Sequence, residues 1–217
     1  REGFAYHAGL ADFAFVMQGL GSGPIALAGN EEQKKLLKKA ASGDAIAAFA
    51  LSEPEAGSDV QAMSTTAKKQ GNGWVLDGTK TWITNGIHGN CFAVLTKTDP
   101  AATPRHAGMT MFLCEKGPGF TVGRKLLKMG YKAIDSAELV FDGHRVPAAN
   151  LIGGTEGQGF RQAVGGLELG RINVAARGAG RGRLHELAAR EFALPALVLR
   201  HLVLPPLRIT SRSSPPR

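Results

Sequence analysis

The segment KTWITNG, residues 80–86, places an aromatic ring and a hydroxyl at the spacing of one strand face. In a strand, Trp82 and Thr84 project to the same side and Ile83 to the other. An indole beside a hydroxyl can lie against a flat heteroaromatic ring and hydrogen-bond its edge. The same pattern also suits an ordinary aromatic strand pair with threonine as a filler, so this segment alone leaves both interpretations open.

A second polar set, LSEPEAGSD at residues 51–59, follows an apolar run. Strand alternation puts Phe49 and Leu51 on one face, with Ser52 at the strand end. A buried strand that ends in so many polar groups raises the question of what those groups face.

The turn that follows this strand is predicted from Pro54 and Gly57, and it exposes Ser58 and Asp59. A serine beside backbone N–H groups in a turn can hold a phosphate or an amide-rich chain. A helix or turn cap explains the same two residues, and the turn alone does not exclude that alternative.

Four blocks, taken in order, resemble the acyl-CoA dehydrogenase family. They are LSEPEAGSD, LDGTKTWITNG at 76–86, GRKLLKMG at 123–130 and RVPAANLIG at 145–153. The resemblance covers residues 1–177. It implies a helical N-terminal domain, a middle β-barrel and a C-terminal four-helix domain, with FAD between the barrel and the C-terminal helices.

The resemblance also implies roles for the residues singled out above. Phe49, Leu51 and Ser52 would line the flavin through backbone and side-chain contacts. Trp82 would lie against the isoalloxazine ring, and Thr84 would bond near its reactive N5 edge. The polar strand end then becomes the rim of a cofactor cleft.

For the substrate, the resemblance assigns Ser58 to the CoA portion of an acyl-CoA thioester. Glu168 and Arg171, in LELGR, match positions that bind the nucleotide end of CoA in the family. The alternative for this pair is a solvated helical charge pair at a three-residue spacing.

The implied reaction is α,β-dehydrogenation of an acyl-CoA, with a hydride passing to FAD and an electron-transfer flavoprotein as the acceptor. The family base is a glutamate, either in the C-terminal helical domain or at the position matching Gly170, and a glycine carries no base. No catalytic residue is therefore assigned within the chain, and we expect the glutamate in a C-terminal domain beyond residue 217. The alternative is a CoA-binding or scaffold remnant without turnover.

The elements that must position these residues are predicted from hydrophobic period and punctuation. Residues 2–41 are helical, with Asn30 as an N-cap and Gly43 closing the last helix. Seven strands are predicted at 45–52, 63–69, 73–79, 91–98, 109–115, 120–123 and 137–146. The predicted fold is α+β: a helical N-terminal segment, a central antiparallel β-barrel and the start of a C-terminal helical domain.

The domain organisation follows from these elements. Residues 1–43 are a remnant of the N-terminal helical domain, 44–150 the middle domain, and 151–177 the first helix of the C-terminal domain. Residues 178–217 have no Lys and no Asp, are rich in Arg, Pro and Leu, and are interpreted as an aberrant tail that is translated out of frame. We therefore expect a truncated and inactive fragment that binds FAD weakly or not at all, from a family that forms homo-oligomers.

Composition excludes several other functions. The net charge of +8 divides into +3 for residues 1–177 and +5 for the last 40, which argues against a nucleic-acid surface, although ARGAGRGR at 176–183 resembles a short RNA-binding patch. No membrane helix and no metal site are predicted. Cys91 and Cys114 lack a CxxC spacing and are interpreted as reduced, which favours a cytoplasmic location.

Overall fold

The computed structural model describes residues 2–200. The helices are α1 (Glu2–His7), α2 (Gly9–Ala28), α3 (Glu31–Ser42) and α4 (Gly159–Arg200). The strands are β1 (Ala47–Ala50), β2 (Thr66–Gln70), β3 (Gly73–Thr84), β4 (Cys91–Lys97), β5 (Met109–Cys114), β6 (Phe120–Lys125) and β7 (Ser136–Pro147). Short 3-10 helices span Val60–Ala62, Arg105–Gly108 and Ala148–Asn150. All seven predicted strands are present, so the sequence period located them correctly.

The N-terminal segment folds as predicted, with caps that the sequence signalled. The Asn30 side chain accepts from the Gln33 N–H, and the Gln33 side chain accepts from the Asn30 N–H, which is a reciprocal capping box. At the other end, Gly43 adopts a left-handed φ of 88° and ends the helix. These local signals define α3 without help from tertiary contacts.

The strands form one curled sheet in the order β1-β4-β2-β3-β7-β6, with β5 on β4. This confirms the predicted fold class, with one correction: the sheet is mixed and not wholly antiparallel, since β1 and β2 each pair with β4 in parallel. The chain between β1 and β4 includes the whole β2–β3 hairpin, and only a long connection of this kind allows two strands to run parallel.

Two apolar cores lie on either side of this sheet. The core inside the curled sheet is built from the aromatic and aliphatic side chains Trp74, Leu76, Phe92, Phe112, Phe120, Leu139 and Phe141. The core between the sheet and the helices contains Ile25, Phe49, Met63, Leu95, Met109, Met111 and Ile152. Strands β1, β4 and β5 are buried on both faces because they separate the two cores.

Helix α2 is joined to the sheet through Gln18 and Gly21. The Gln18 amide donates to the carbonyls of Ala40 and Ala45 and accepts from the Ala47 N–H, so one side chain bridges α2, α3 and β1. A Cβ added at Gly21 would lie 2.6 Å from the Ala47 carbonyl carbon, so the close approach of helix and strand requires glycine there.

Helix α2 is also long and apolar enough to cross a membrane, as judged by length and a hydropathy of 1.2 alone. A core helix passes the same test, and α2 packs here on α3, α4 and β1. The absence of a membrane helix stays a prediction.

Helix α4 continues past residue 177, where the sequence pattern changes, and is described to Arg200. The remainder of the predicted tail, residues 201–217, lies outside the described residues. Cys91 and Cys114 are both buried and free, as predicted.

Candidate functional site

Strand β3 ends in an irregularity that presents Trp82. The β3–β7 register shifts between Lys80 and Ile83, and Trp82 lies within the shift with a φ of 58°. A bulky residue in the left-handed region is a backbone outlier, and such outliers cluster at binding and active sites. The indole is 58% exposed while Ile83 is only 2% exposed.

Thr84, two residues on, is half-buried at the end of the same strand. The alternation predicted for Trp82, Ile83 and Thr84 is therefore observed, although the bulge that exposes Trp82 was not predicted. A flat, solvent-facing ring followed by a hydroxyl is an arrangement that can receive an aromatic ligand and bond its edge.

The strand end at residues 51–53 lies directly beside this bulge. The Thr81 N–H donates to the Ser52 carbonyl at 2.9 Å, so Ser52 and Trp82 are on adjacent backbone segments. Leu51 and Ser52 are half-buried. The Phe49 side chain packs into the core between sheet and helices, which leaves its main chain as the part nearest the rim.

A buried ion pair fixes the rim to β3. Lys80 Nζ lies 2.9 Å from the Glu53 carboxylate and 3.1 Å from the Leu51 carbonyl, and both side chains are almost wholly buried. The Glu53 carboxylate also accepts from the N–H groups of Ser64 and Thr65 and from the Ser64 hydroxyl. Every acceptor oxygen therefore has a partner, as a buried charge requires.

These contacts shift the acidity of both groups. Burial alone would raise the pKa of Glu53, but the Lys80 ammonium and hydrogen bonds from Thr65, Lys80 and Ser64 outweigh it and lower that pKa to about 2. Burial lowers the pKa of Lys80 to about 8, because the nearby Glu53 offsets only part of its desolvation. Sequence analysis missed this pair, whose members are adjacent to the two motifs it did identify.

The turn after the rim is closed by two backbone hydrogen bonds between Glu53 and Ala56, at 2.9 and 3.2 Å. Ser58 and Asp59 lie beyond it and are exposed, as predicted. Asp59 occupies the N-cap position of the 3-10 helix Val60–Ala62, but its side chain makes no capping hydrogen bond. The cap alternative is therefore wrong for Asp59, and Ser58 stays available to a ligand.

The turn after Thr84 is anchored by Asp135, a second residue that the sequence did not signal. Its carboxylate accepts from the Ile87 N–H at 2.7 Å, and its carbonyl accepts from the Asn85 N–H. Asn85 in turn donates to the Ala47 carbonyl. The loop at 126–135 is thus held against the exposed end of β3.

An apolar cavity of about 910 Å³ lies between α2 and α4 and is called here the α2–α4 cavity. Its walls include the side chains of Phe15, Val16, Leu20, Leu27, Leu167 and Val174. Gly170 and Arg171 also line it. The cavity runs beside the first half of α4, the helix that carries the predicted substrate residues.

The two predicted CoA residues of α4 face different spaces. Arg171 lines the α2–α4 cavity, whereas Glu168 lines a separate cavity of about 1160 Å³ beside the loop at 153–158 and His106. Both side chains are exposed. Among the described residues, no group of three His, Cys, Asp or Glu side chains could hold a metal ion.

Comparison with known proteins identifies the family from the sheet that carries this site. Residues 48–144 match the family described as "Acyl-CoA dehydrogenase, middle domain". The chain belongs to the acyl-CoA dehydrogenase family. Members of this family use FAD as their cofactor.

Relatives agree over the N-terminal and middle parts. The chain is 47% identical over 149 residues to "Isovaleryl-CoA dehydrogenase, mitochondrial" of Pongo abelii, a match that covers 68% of this chain and 35% of the relative. It is 45% identical over 163 residues to "Acyl-CoA dehydrogenase" of Bacillus subtilis, covering 74% and 42%. The structure of butyryl-CoA dehydrogenase from Megasphaera elsdenii superposes with a TM-score of 0.81 at 36% identity, covering 88% of this chain and 50% of that one. The chain therefore spans between a third and a half of the length of these relatives.

Proposed function

We propose that this chain provides one wall of the flavin site and the acyl pocket of a FAD-dependent acyl-CoA dehydrogenase. The activity is α,β-dehydrogenation of an acyl-CoA thioester. The single observation that supports this most is the bulge that holds Trp82 exposed beside Ser52 and Thr84, in a fold whose relatives use flavin.

The residues at the rim fit a tricyclic ring. Trp82 offers an exposed flat face, and among the described residues it stacks on no other aromatic ring. Thr84 and Ser52 add hydroxyls at the edge of that face, and Leu51 adds an apolar contact. When bound there, FAD supplies the acceptor for the hydride that leaves the β-carbon.

The substrate is proposed to use the α2–α4 cavity and the turn beside the rim. The apolar walls of the cavity suit an acyl chain, because burying methylenes there removes them from water. Ser58, exposed at the turn, is proposed to contact the CoA portion. Arg171 offers a cation to its phosphates, and Glu168, in the neighbouring cavity, is proposed to contact the nucleotide end from the other side of α4.

The α-proton of the thioester needs a base that this cavity does not supply. No Asp or Glu is among the described residues that line it, and Gly170 stands where some relatives carry a glutamate. We therefore propose that the base comes from outside these lining residues, and that the described part of the chain by itself binds acyl-CoA without oxidising it.

The proposed partners follow from the same chemistry. Electrons that reach the flavin must leave it, and an electron-transfer flavoprotein is the proposed acceptor. A homo-oligomer is the proposed assembly, since the rim offers only one wall of a flavin site.

Flavin binding tests the proposal through the two tryptophans. In a Trp74→Phe variant only Trp82 fluoresces, and we expect FAD to quench it with a dissociation constant in the micromolar range or weaker. Trp82→Ala should weaken FAD binding, measured by flavin anisotropy, by about fivefold or more, since stacking on a base-like ring is lost. Trp74→Phe is the matched control, because Trp74 is buried inside the sheet.

Equal FAD affinity in Trp82→Ala and in the control would contradict the proposed flavin wall. Binding of CoA with no binding of FAD would instead favour the non-catalytic CoA-binding alternative.

A further inference from the structure

One end of the α2–α4 cavity is closed by four side chains from three parts of the chain. Arg177 of α4 donates through Nε to the buried carboxylate of Asp12 on α2, and through a terminal nitrogen to the Tyr131 hydroxyl at 2.9 Å. The guanidinium carbon lies 5.5 Å from the ring centroids of both Phe13 and Tyr131. We name Asp12, Phe13, Tyr131 and Arg177 the Arg177 cluster.

The cluster is a firm plug because its members satisfy one another. The Phe13 and Tyr131 rings stack at 4.0 Å with an interplanar angle of 18°. Phe13 and Arg177 line the cavity, whereas Asp12 is wholly buried behind them. Tyr131 comes from the loop at 126–135, which Asp135 ties to the turn after Thr84.

We infer that the Arg177 cluster sets the substrate class: the cavity takes an uncharged acyl chain of medium length and excludes a chain with a terminal carboxylate. This inference rests on the proposed function, since it concerns the acyl pocket of that reaction. It assigns both a length limit and an end-group preference to named side chains.

The length limit follows from the spacing along α4. Gly170 stands where some relatives carry the base, so the reacting carbons belong beside it. Arg177 is seven residues further on, which is about 10 Å of α-helix. An extended carbon chain advances about 1.2 Å per bond, so roughly eight carbons reach the cluster.

The end-group preference follows from charge. The Arg177 guanidinium is already neutralised by Asp12, so a terminal carboxylate arriving at this end finds no unpaired cation on the cluster. It would lose its hydration against two aromatic rings without a compensating bond. Lys128 lies 6.0 Å from the Phe13 ring but is not among the described residues that line the cavity.

Equilibrium binding of an acyl-CoA series tests the length limit on the purified chain, by calorimetry and below the concentrations at which acyl-CoAs form micelles. From butanoyl- to octanoyl-CoA, affinity should rise about fourfold per methylene. It should then stop rising, so that dodecanoyl- and hexadecanoyl-CoA bind no tighter than octanoyl-CoA.

Substitutions at Tyr131 test the plug without breaking the buried ion pair. Tyr131→Ala should open the end of the cavity and make dodecanoyl-CoA bind about tenfold tighter than it binds the wild type. Tyr131→Phe keeps the ring on Phe13 and should keep the limit. Tyr6→Ala is the matched control, because Tyr6 is the other tyrosine of the chain and does not line the cavity.

Asp12→Asn tests the end group. Suberyl-CoA, which adds a terminal carboxylate to a chain of the same length as octanoyl-CoA, should bind the wild type about tenfold more weakly than octanoyl-CoA. Asp12→Asn frees the Arg177 charge and should remove that difference. Circular dichroism checks folding, and if this variant unfolds, the Tyr131 series and the wild-type comparison of the two thioesters still decide the inference.

The outcomes separate the inference from the function beneath it. If acyl-CoAs bind no better than CoA, both the acyl pocket and the inference fail. If acyl-CoAs bind better than CoA, but affinity keeps rising to hexadecanoyl-CoA or suberyl-CoA binds as well as octanoyl-CoA, the inference fails and the proposed function stands.

Discussion

At the scale of single residues, the ion pair of Glu53 and Lys80 determines where the rim lies. Lys80 joins the Leu51 carbonyl and the Glu53 carboxylate to β3, so Ser52 is held next to Trp82. A buried pair is a poor source of net stability, but removal of one partner strands a charge in the core. The pair is therefore best understood as a positioning device for the candidate site.

Lys80→Met should lower the free energy of unfolding by about 3–5 kcal/mol, because the Glu53 carboxylate would stay buried without its cation. The double variant Glu53→Gln, Lys80→Met should recover at least half of that loss. Urea denaturation followed by fluorescence measures both. Glu55→Gln, an exposed carboxylate two residues away, is the control and should change the unfolding free energy by less than about 0.5 kcal/mol. A Lys80→Met variant as stable as this control would show that the pair is dispensable.

At the scale of elements, the sequence predicted what local chemistry determines. The Asn30 capping box and all seven strands are local patterns, and they were located correctly. The parallel pairing of β1 with β4 and the bulge at Trp82 were not predicted, because both depend on how distant strands meet. The same limit explains why the partner of Lys80 was missed.

Two glycines of α2 make a matched prediction about helix packing. Gly21→Ala should destabilise the fold by about 1–3 kcal/mol, since the added methyl would overlap the β1 backbone. Gly19→Ala, in the same helix but with open space around the added Cβ, should stabilise it by about 0.5–1 kcal/mol. Thermal unfolding of both variants measures the difference. Shifts of the same sign would mean that helix propensity, and not the contact with β1, governs this region.

At the scale of the whole molecule, stability should depend on acid through Glu53. Its pKa in the folded protein is about 2, below the ordinary value of 4.5, so the folded state binds this proton less readily than the unfolded chain does. The stabilisation is therefore fully present above pH 4.5 and is lost as the pH falls toward 2. Its size is about 3 kcal/mol.

The measurement is the difference in unfolding free energy between the wild type and Glu53→Gln, taken from about pH 6 to about pH 2. The difference should shrink steadily over the acid part of that range. A constant difference would show that Glu53 does not carry this pH dependence.

The whole molecule also shows how far the sequence alone could go toward the site. The resemblance identified Trp82, Thr84 and Ser52 as one surface, and the structure places Trp82 beside Ser52. The contact of Tyr131 with Phe13, which joins residues more than one hundred positions apart, has no local pattern. Such a contact appears only once the loop at 126–135 is folded against α2.

Gln18 gives the boundary near residue 44 a further meaning. Its amide bonds to Ala40 and Ala45 on the helical side and to Ala47 on the strand side, so the hydrogen-bonding needs of the two segments are met jointly. A chain cut at this boundary would expose the Ala47 N–H and empty the space beside Gly21. The helical segment and the sheet are thus obliged to be inherited, transplanted or truncated as one piece.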